Sequence, residues 1–188
     1  MSKHSAPFPL ARIGAAAGVL MIGAGAYAAW TSSTTATTGT YSAATVTASV
    51  ADHDGTVFTS AISDLLPGDY AYRYRTLTNT GSVTQTFSAA VTGSGALTGA
   101  GGLQVTVDSC ATAWASGVCA GGSSSVQTIV GVSTSPTINY GSLAASAAKY
   151  LRYTFTLPSG AAYGTFGAAT GTVTVAITGS TAAGSDRT

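Results

Sequence analysis

The segments Leu65-Leu66-Pro67-Gly68-Asp69 and Leu77-Thr78-Asn79-Thr80-Gly81-Ser82 decide the fold, because they predict a turn, a strand and a second turn within eighteen residues. In the first turn, proline presets φ, glycine permits a positive φ, and aspartate can accept a backbone N–H. The Asn-Thr-Gly run of the second turn reverses the chain again. The whole stretch therefore predicts one arm of a β-hairpin.

Alternation of apolar and polar residues continues on both sides of this hairpin arm. Every second residue from Val83 to Val91 faces one way, which is the period of a half-buried strand. The later segments with the same pattern are Leu103–Val107, Val126–Val132, Leu151–Leu157 and Val173–Ile177. Upstream, the first predicted core strand carries Ala44, Val46, Ala48 and Val50 on its inward side.

The strand between the two turns is ambiguous, because either of its faces could point inward. One face carries three aromatic residues, Tyr70, Tyr72 and Tyr74. The other face is mixed and carries Ala71, Arg73, Arg75 and Leu77. A row of tyrosines on one face is usually cross-strand packing, and it could also stack on sugars.

Seven to eight short strands with Gly-rich turns predict an all-β protein, a jelly-roll-like β-sandwich with jelly-roll or Greek-key connections. We expect this sandwich at residues 41–180, followed by a flexible tail at 181–188. Edge strands are usually protected by Lys, Pro or bulges. This region has a single lysine, Lys149, so an edge available for pairing is expected.

Composition narrows the range of partners. Only 7% of the residues are charged, glutamate is absent, and Ser and Thr supply more than a quarter of the chain. A formal net charge near zero argues against nucleic acid as a partner. A surface with so few charges can pack against copies of itself, because little repels.

The first 28 residues predict a secretory signal peptide. Lys3 and Arg12 form the basic region, Ile13–Gly25 is an apolar run, and small residues precede the expected cleavage between Ala28 and Ala29. Contact with a membrane is expected only through this segment. Cleavage would leave five basic and six acidic residues in the mature chain.

An extended Thr/Ser-rich arm, residues 29–40, would begin the mature chain. Trp30–Gly39 has high β propensity but no apolar face to bury on its own domain. It is either a free leader or a strand donated to a neighbouring subunit. The residues proposed for such a polymerisation arm are Trp30, Thr31, Thr34, Ala36 and Thr38.

Two cysteines, Cys110 and Cys119, remain after cleavage. In an oxidising compartment a single pair normally forms a disulfide, and two buried thiols are the alternative. The chain-entropy estimate for closing so short a loop is about 3 kcal/mol.

Catalytic and metal-binding functions find little support in the residues. A zinc protease needs about three protein ligands and a general base, whereas the mature chain has one histidine, His53, and no glutamate. Asp52, Asp54 and Gly55 match only part of a calcium loop, and Asp-Gly is an ordinary turn dipeptide. We therefore predict no enzyme, no catalytic residue, no cofactor and no metal site.

Short motifs resemble the TasA/camelysin family. They are the segment from Gly25 to Trp30, the strand from Tyr41 to Val46, and the two turns with Pro67, Gly68, Asp69, Asn79 and Gly81. The strands from Leu157 to Gly160 and from Gly171 to Val175 also look similar. Arg75 and the cysteine pair depart from the family pattern.

The resemblance implies export through a signal peptide read by a dedicated signal peptidase, a jelly roll, and extracellular fibres of a biofilm matrix. We therefore expect a secreted structural protein, in the matrix or on the cell surface, that polymerises with itself by β-strand addition. The alternative is a non-catalytic surface module that binds carbohydrate or calcium. A camelysin-like secreted protease is a remote alternative.

Signal peptide processing gives the first testable prediction. Secreted protein should begin at Ala29, because Ala26 and Ala28 are the small residues that a signal peptidase reads. Intact-mass measurement of the secreted protein checks this, and a secreted species that still carries residues 1–28 would contradict it.

Overall fold

The computed structural model describes residues 45–53, 58 and 60–181. The predicted signal peptide with its Ala28–Ala29 bond and the arm at 29–40 lie outside the described residues. Residues 182–188 of the predicted tail and the Asp54-Gly55 turn also lie outside them.

Eight strands and one turn of α-helix make up the regular structure of the described part. The strands are β1 (Ala48–Asp52), β2 (Tyr70–Asn79), β3 (Gln85–Ser94), β4 (Gln104–Cys110), β5 (Ser124–Gly131), β6 (Thr137–Leu143), β7 (Ala148–Thr156) and β8 (Thr172–Ser180). The helical turn is α1 (Tyr163–Phe166), and two short 3-10 turns lie at Ala96–Thr98 and Val132–Thr134.

The strands form two antiparallel sheets. The larger has the order β1-β2-β7-β4-β5, and the smaller has the order β6-β3-β8. Five of the seven connections between successive strands pass from one sheet to the other, as in Greek-key and jelly-roll sandwiches. The predicted all-β sandwich of seven to eight strands is confirmed.

The core lies between the sheets and follows the predicted alternation. In β3, Phe87, Ala89 and Val91 are buried, while Thr86 before them and Thr92 after them are exposed. The inward residues of β4, β7 and β8 belong to the same core. They are Val105, Val107, Leu151, Tyr153, Phe155, Val173 and Val175. Period-two patterning thus identified the inward faces of these strands correctly.

The prediction that Ala44–Val50 forms a core strand is wrong. Ala48 to Val50 of it belong to β1, an edge strand in which all five residues are exposed. Val50 pairs with the buried Leu77 and so shares its inward face, yet 43% of Val50 is accessible to solvent. The alternation predicted the correct face, but no described strand covers that face.

The ambiguity in β2 is resolved in favour of the mixed face. Leu77 is fully buried and Ala71 packs against the main core, so Arg73 and Arg75 also point inward. The tyrosines lie on the outer face of the larger sheet, where Tyr70 is 57% exposed. Two arginines therefore occupy the inner side of the sandwich.

The two turns of the deciding stretch form as expected. The carboxylate of Asp69 accepts the Leu66 N–H at 2.8 Å, and Gly68 has φ of 98°. A Cβ at Gly81 would lie 2.4 Å from the carbonyl oxygen of Thr45, so only glycine fits there. These residues of the family motif have structural roles.

Asn79 joins the two sheets through its buried side-chain amide. Its Nδ2 lies 2.8 to 3.0 Å from the carbonyl oxygens of Val83, Leu143 and Ala144. Its Oδ1 accepts hydrogen bonds from the Gly81 N–H and from the amide of Gln85. The end of β2 is thereby tied to the start of β3 and the end of β6.

A buried pair of tyrosine hydroxyls is a second polar contact between the sheets. The hydroxyls of Tyr140 on β6 and Tyr153 on β7 are 2.6 Å apart. Burial raises the pKa of Tyr140 to about 12 and raises that of Tyr153 well above its usual value of 10. Both phenols therefore stay neutral at physiological pH, and their hydrogen bond is a direct link between the sheets.

Cys110 and Cys119 form a disulfide with Cα atoms 5.8 Å apart, the pairing that the sequence predicted. The loop it closes places Trp114 on the outer face of the larger sheet, where the indole N–H donates to the Tyr150 carbonyl. Trp114 is nearly fully buried there, beside Tyr74. The disulfide thus secures a small second core outside the sandwich.

Replacing both cysteines by serine should lower the stability of the mature protein by about 1 to 3 kcal/mol, because the unfolded chain regains loop entropy. We expect a lower melting temperature without reductant, while chelation by EDTA leaves the wild-type melting temperature unchanged. Free thiols in the native protein would contradict the disulfide, and a large effect of EDTA would revive the metal-binding alternative.

Candidate functional site

The two sheets differ in size, and within the described residues no strand of the smaller sheet covers the inward face of β1. The Tyr140–Tyr153 contact places β6 across from β7, and a contact between Arg75 and Val175 places β8 across from β2. The smaller sheet therefore ends opposite β2, while the larger sheet continues by one strand, β1. We call the region between β1 and the outer edge of β8 the open side.

The edge of β8 supplies backbone hydrogen-bonding groups to the open side. Gly171 pairs with Ile62 and the Val175 carbonyl accepts from Arg75, so odd-numbered residues direct their backbone groups away from β3. Backbone groups alternate in direction along a strand, so the N–H and C=O groups of Val173, Ile177 and Gly179 also point away from β3. No described residue forms a strand ladder with β8 on this side beyond Gly171.

Apolar side chains line the other wall of the open side. Val46 and Val50, on the inner side of the larger sheet, are 41% and 43% exposed. Ile177 of β8 is only half-buried against the core. A strand laid along β8 with its side chains facing inward would remove this surface from water, at about 25 cal/mol for each Å² buried.

Arg75 crosses the open side from β2 to β8. Its Nη1 donates to the Val175 carbonyl at 3.3 Å, and its Nε donates to the Asp52 carboxylate at 2.9 Å. The guanidinium lies 3.8 Å from the centroid of the Phe58 ring, a favourable cation–π geometry. Its side chain is only 15% exposed.

Asp52 is held in its charged form by these neighbours. Partial burial acts to raise the pKa of its carboxyl, but the Phe58 N–H and the Arg75 guanidinium outweigh burial and lower the pKa below the usual 3.8. The Asp52–Arg75 pair is therefore intact at neutral pH and is lost only when strong acid protonates the carboxylate.

Arg73 lies two residues away on the same face and does not reach β8. Its Nη1 donates to the carbonyl of Tyr72 on its own strand, and its Nη2 lies 3.5 Å from the carbonyl of Ser60. Burial lowers the pKa of the Arg73 guanidinium below its usual value. Of the two inward arginines, only Arg75 contacts the β8 edge.

The outer face of the larger sheet is a second candidate site. The rings of Tyr70 and Tyr72 lie 4.9 Å apart, and the disulfide loop borders them. The guanidinium of Arg152 lies over the rings of Trp114 and Tyr72 and pairs with Asp108 at 2.9 Å. The tyrosines closest to solvent thus adjoin a charged pair.

The described residues do not fit a catalytic metal centre. No three His, Cys, Asp or Glu side chains cluster among them. His53 contacts the Thr76 hydroxyl through Nδ1 at 3.2 Å, and the adjacent Asp52 is occupied by Arg75. The sequence has no glutamate to act as a general base.

Sequence reasoning placed some features of the site and missed others. It predicted an exposed sheet edge, but it did not identify β8 as that edge or Arg75 as its contact. The signal available was an arginine at an inward position of a strand, which is unusual in a core. The proposed arm at 29–40 lies outside the described residues. The described residues contain no helix with the length and apolar character of a membrane span.

Comparison with known proteins supports the family resemblance. Residues 8–92 match the family described as camelysin metallo-endopeptidase. This segment contains the two turns with Pro67, Gly68, Asp69, Asn79 and Gly81, so the resemblance to the TasA/camelysin family is confirmed there. No curated protein matches the chain.

Proposed function

From the camelysin-type segment and the open side of the sandwich, we propose that this chain is a secreted structural protein that forms an extracellular fibre or cell-surface matrix. Its subunits join by β-strand addition, in which an extended segment of one copy pairs with the sheet edge of the next. The open edge of β8 is the observation that carries this proposal.

Two physical features of the open side favour an added strand. The backbone groups of Val173, Ile177 and Gly179 pair with no described residue on this side, and each would gain partners worth about 0.5 to 1.5 kcal/mol net for each hydrogen bond. The exposed Val46 and Val50 would be covered by the inward side chains of the new strand. Backbone pairing would supply affinity and side-chain burial would fix the register.

The segment proposed to fill this edge is the N-terminal arm of another copy. Trp30–Gly39 has ten residues without charge, which is long enough for the open edge from Val173 to Gly179. Its Thr-rich sequence favours an extended strand. Trp30 would add an aromatic anchor at the subunit junction.

The described residues do not provide the ligands of the metal centre that the family name suggests. This agrees with a structural role. We propose that the chain is not an enzyme and that its main partner is a second copy of itself. Its contact with the membrane ends when the signal peptide is removed.

Deletion of the arm tests strand addition. Mature protein that lacks residues 29–39 should keep its β-type circular dichroism and its melting temperature, because the sandwich core lies elsewhere in the chain. It should stay monomeric in light scattering under conditions in which the full mature chain forms filaments visible by negative-stain electron microscopy. Assembly by the shortened protein at the wild-type rate would rule out donation by this arm.

A polysaccharide-binding surface is the second candidate function. The structure directs Tyr70 and Tyr72 outward rather than into the core, with Tyr70 57% exposed. Thr156 and Thr154 lie opposite these tyrosines in the register of β7. Exposed aromatic rings beside hydroxyl and charged groups can stack on sugar rings and bind their hydroxyls.

Sedimentation with insoluble cellulose, chitin or peptidoglycan measures this second function. If the surface binds one of them, Tyr70→Ala and Tyr72→Ala should each reduce the bound fraction severalfold, since a stacking contact is lost. Tyr163→Ala is the matched control, because Tyr163 is 63% exposed but lies in α1. Equal binding by all three variants and the wild type would exclude these tyrosines.

A further inference from the structure

Arg75 occupies the position that an added strand needs. The Val175 carbonyl points out from the β8 edge, so a strand paired there must place a backbone N–H against it. In the structure that acceptor is used by Nη1 of Arg75 at 3.3 Å. The guanidinium also fills the space between β2 and β8, where it lies on the Phe58 ring.

A charge that points inward beside a sheet edge opposes edge pairing. Natural β-proteins use such residues to avoid unwanted addition of strands. An incoming uncharged strand would have to displace Arg75 from Val175 before its own backbone could pair. The remaining odd-numbered positions, Val173, Ile177 and Gly179, have no such side-chain donor among the described residues.

We infer that Arg75 is a gate on the β8 edge, which slows strand addition until the incoming strand displaces its guanidinium from Val175. This inference rests on the proposed function and concerns the regulation of the same site. The gate keeps single subunits from pairing early and makes the rate of assembly depend on one side chain.

Asp52 keeps Arg75 paired when the guanidinium is displaced from Val175, so that the displacement is reversible. The bond from Arg75 to Asp52 is shorter, 2.9 Å, and joins opposite charges, whereas the bond to Val175 is longer and has a neutral acceptor. A hydrogen bond from a guanidinium to a carboxylate is stronger than one from the same guanidinium to a neutral carbonyl, because the two charges attract. Arg75 can therefore release Val175 and stay paired with Asp52 on β1, so that opening leaves no partly buried charge without a partner.

Kinetics of filament formation by the full mature chain test the gate. Arg75→Met keeps a long side chain over Phe58 but removes the donor to the Val175 carbonyl. The double variant Asp52→Asn/Arg75→Met also removes the charge of the Asp52 carboxylate, which has lost its arginine partner in the single variant. Both should shorten the lag phase by about two- to tenfold, the factor that corresponds to one hydrogen bond. Circular dichroism confirms that each variant is folded.

Two controls separate the gate from a general loss of stability. Arg73→Met removes the neighbouring inward arginine, which does not contact β8, and should leave the lag unchanged. The variant with both cysteines replaced by serine is less stable but has an intact gate, and it should also keep the wild-type lag. A shortened lag in either control would overturn the inference.

The outcomes distinguish the gate from the proposed function. Filaments from the wild type with an equal or longer lag in both Arg75 variants would overturn the gate and leave strand addition standing. If only the Arg75 variants form filaments, the gate is supported. If neither the wild type nor any variant assembles, the proposed function fails and the gate fails with it.

Discussion

The buried side chain of Asn79 is the constraint on which the sandwich depends. It is fully inaccessible to solvent and, from the end of β2 in the larger sheet, it satisfies partners in the smaller sheet, including the Leu143 carbonyl and the Gln85 amide. A buried polar group left without partners costs about 1 to 3 kcal/mol. The turn that begins at Asn79 and the meeting point of the sheets must therefore form together, which explains why an Asn-x-Gly sequence marks this position.

The difference in sheet size follows from how the strands are distributed. Five strands face three, β1 at one edge of the larger sheet has no described counterpart, and Val46 and Val50 stay exposed there. A fully closed sandwich would bury these residues within one chain. Among the described residues, the open side instead leaves both apolar surface and backbone groups available, and the proposal assigns a second copy to cover them.

Charged residues lie where the core is incomplete. Arg73 and Arg75 point into the sandwich at the end where the smaller sheet stops, and Asp52 on the exposed edge strand neutralises one of them. Buried charges of this kind are tolerated only when they are paired or hydrogen-bonded. Their contacts are to carbonyls, one carboxylate and one phenyl ring.

The sequence by itself determined which residues share a face. Alternation in segments such as Phe87–Val91 and Leu151–Leu157 predicted their buried sides, turn chemistry located Gly68 and Gly81, and the cysteine count predicted the disulfide. Whether a face is covered was decided only by the tertiary structure, because the covering strand comes from a distant part of the chain. Val50 therefore has a core-like pattern and yet is exposed, and the inward face of β2 became known only when Leu77 met the opposite sheet. The contact between Arg75 and Val175 joins residues a hundred positions apart, and local periodicity carries no information about such a distance.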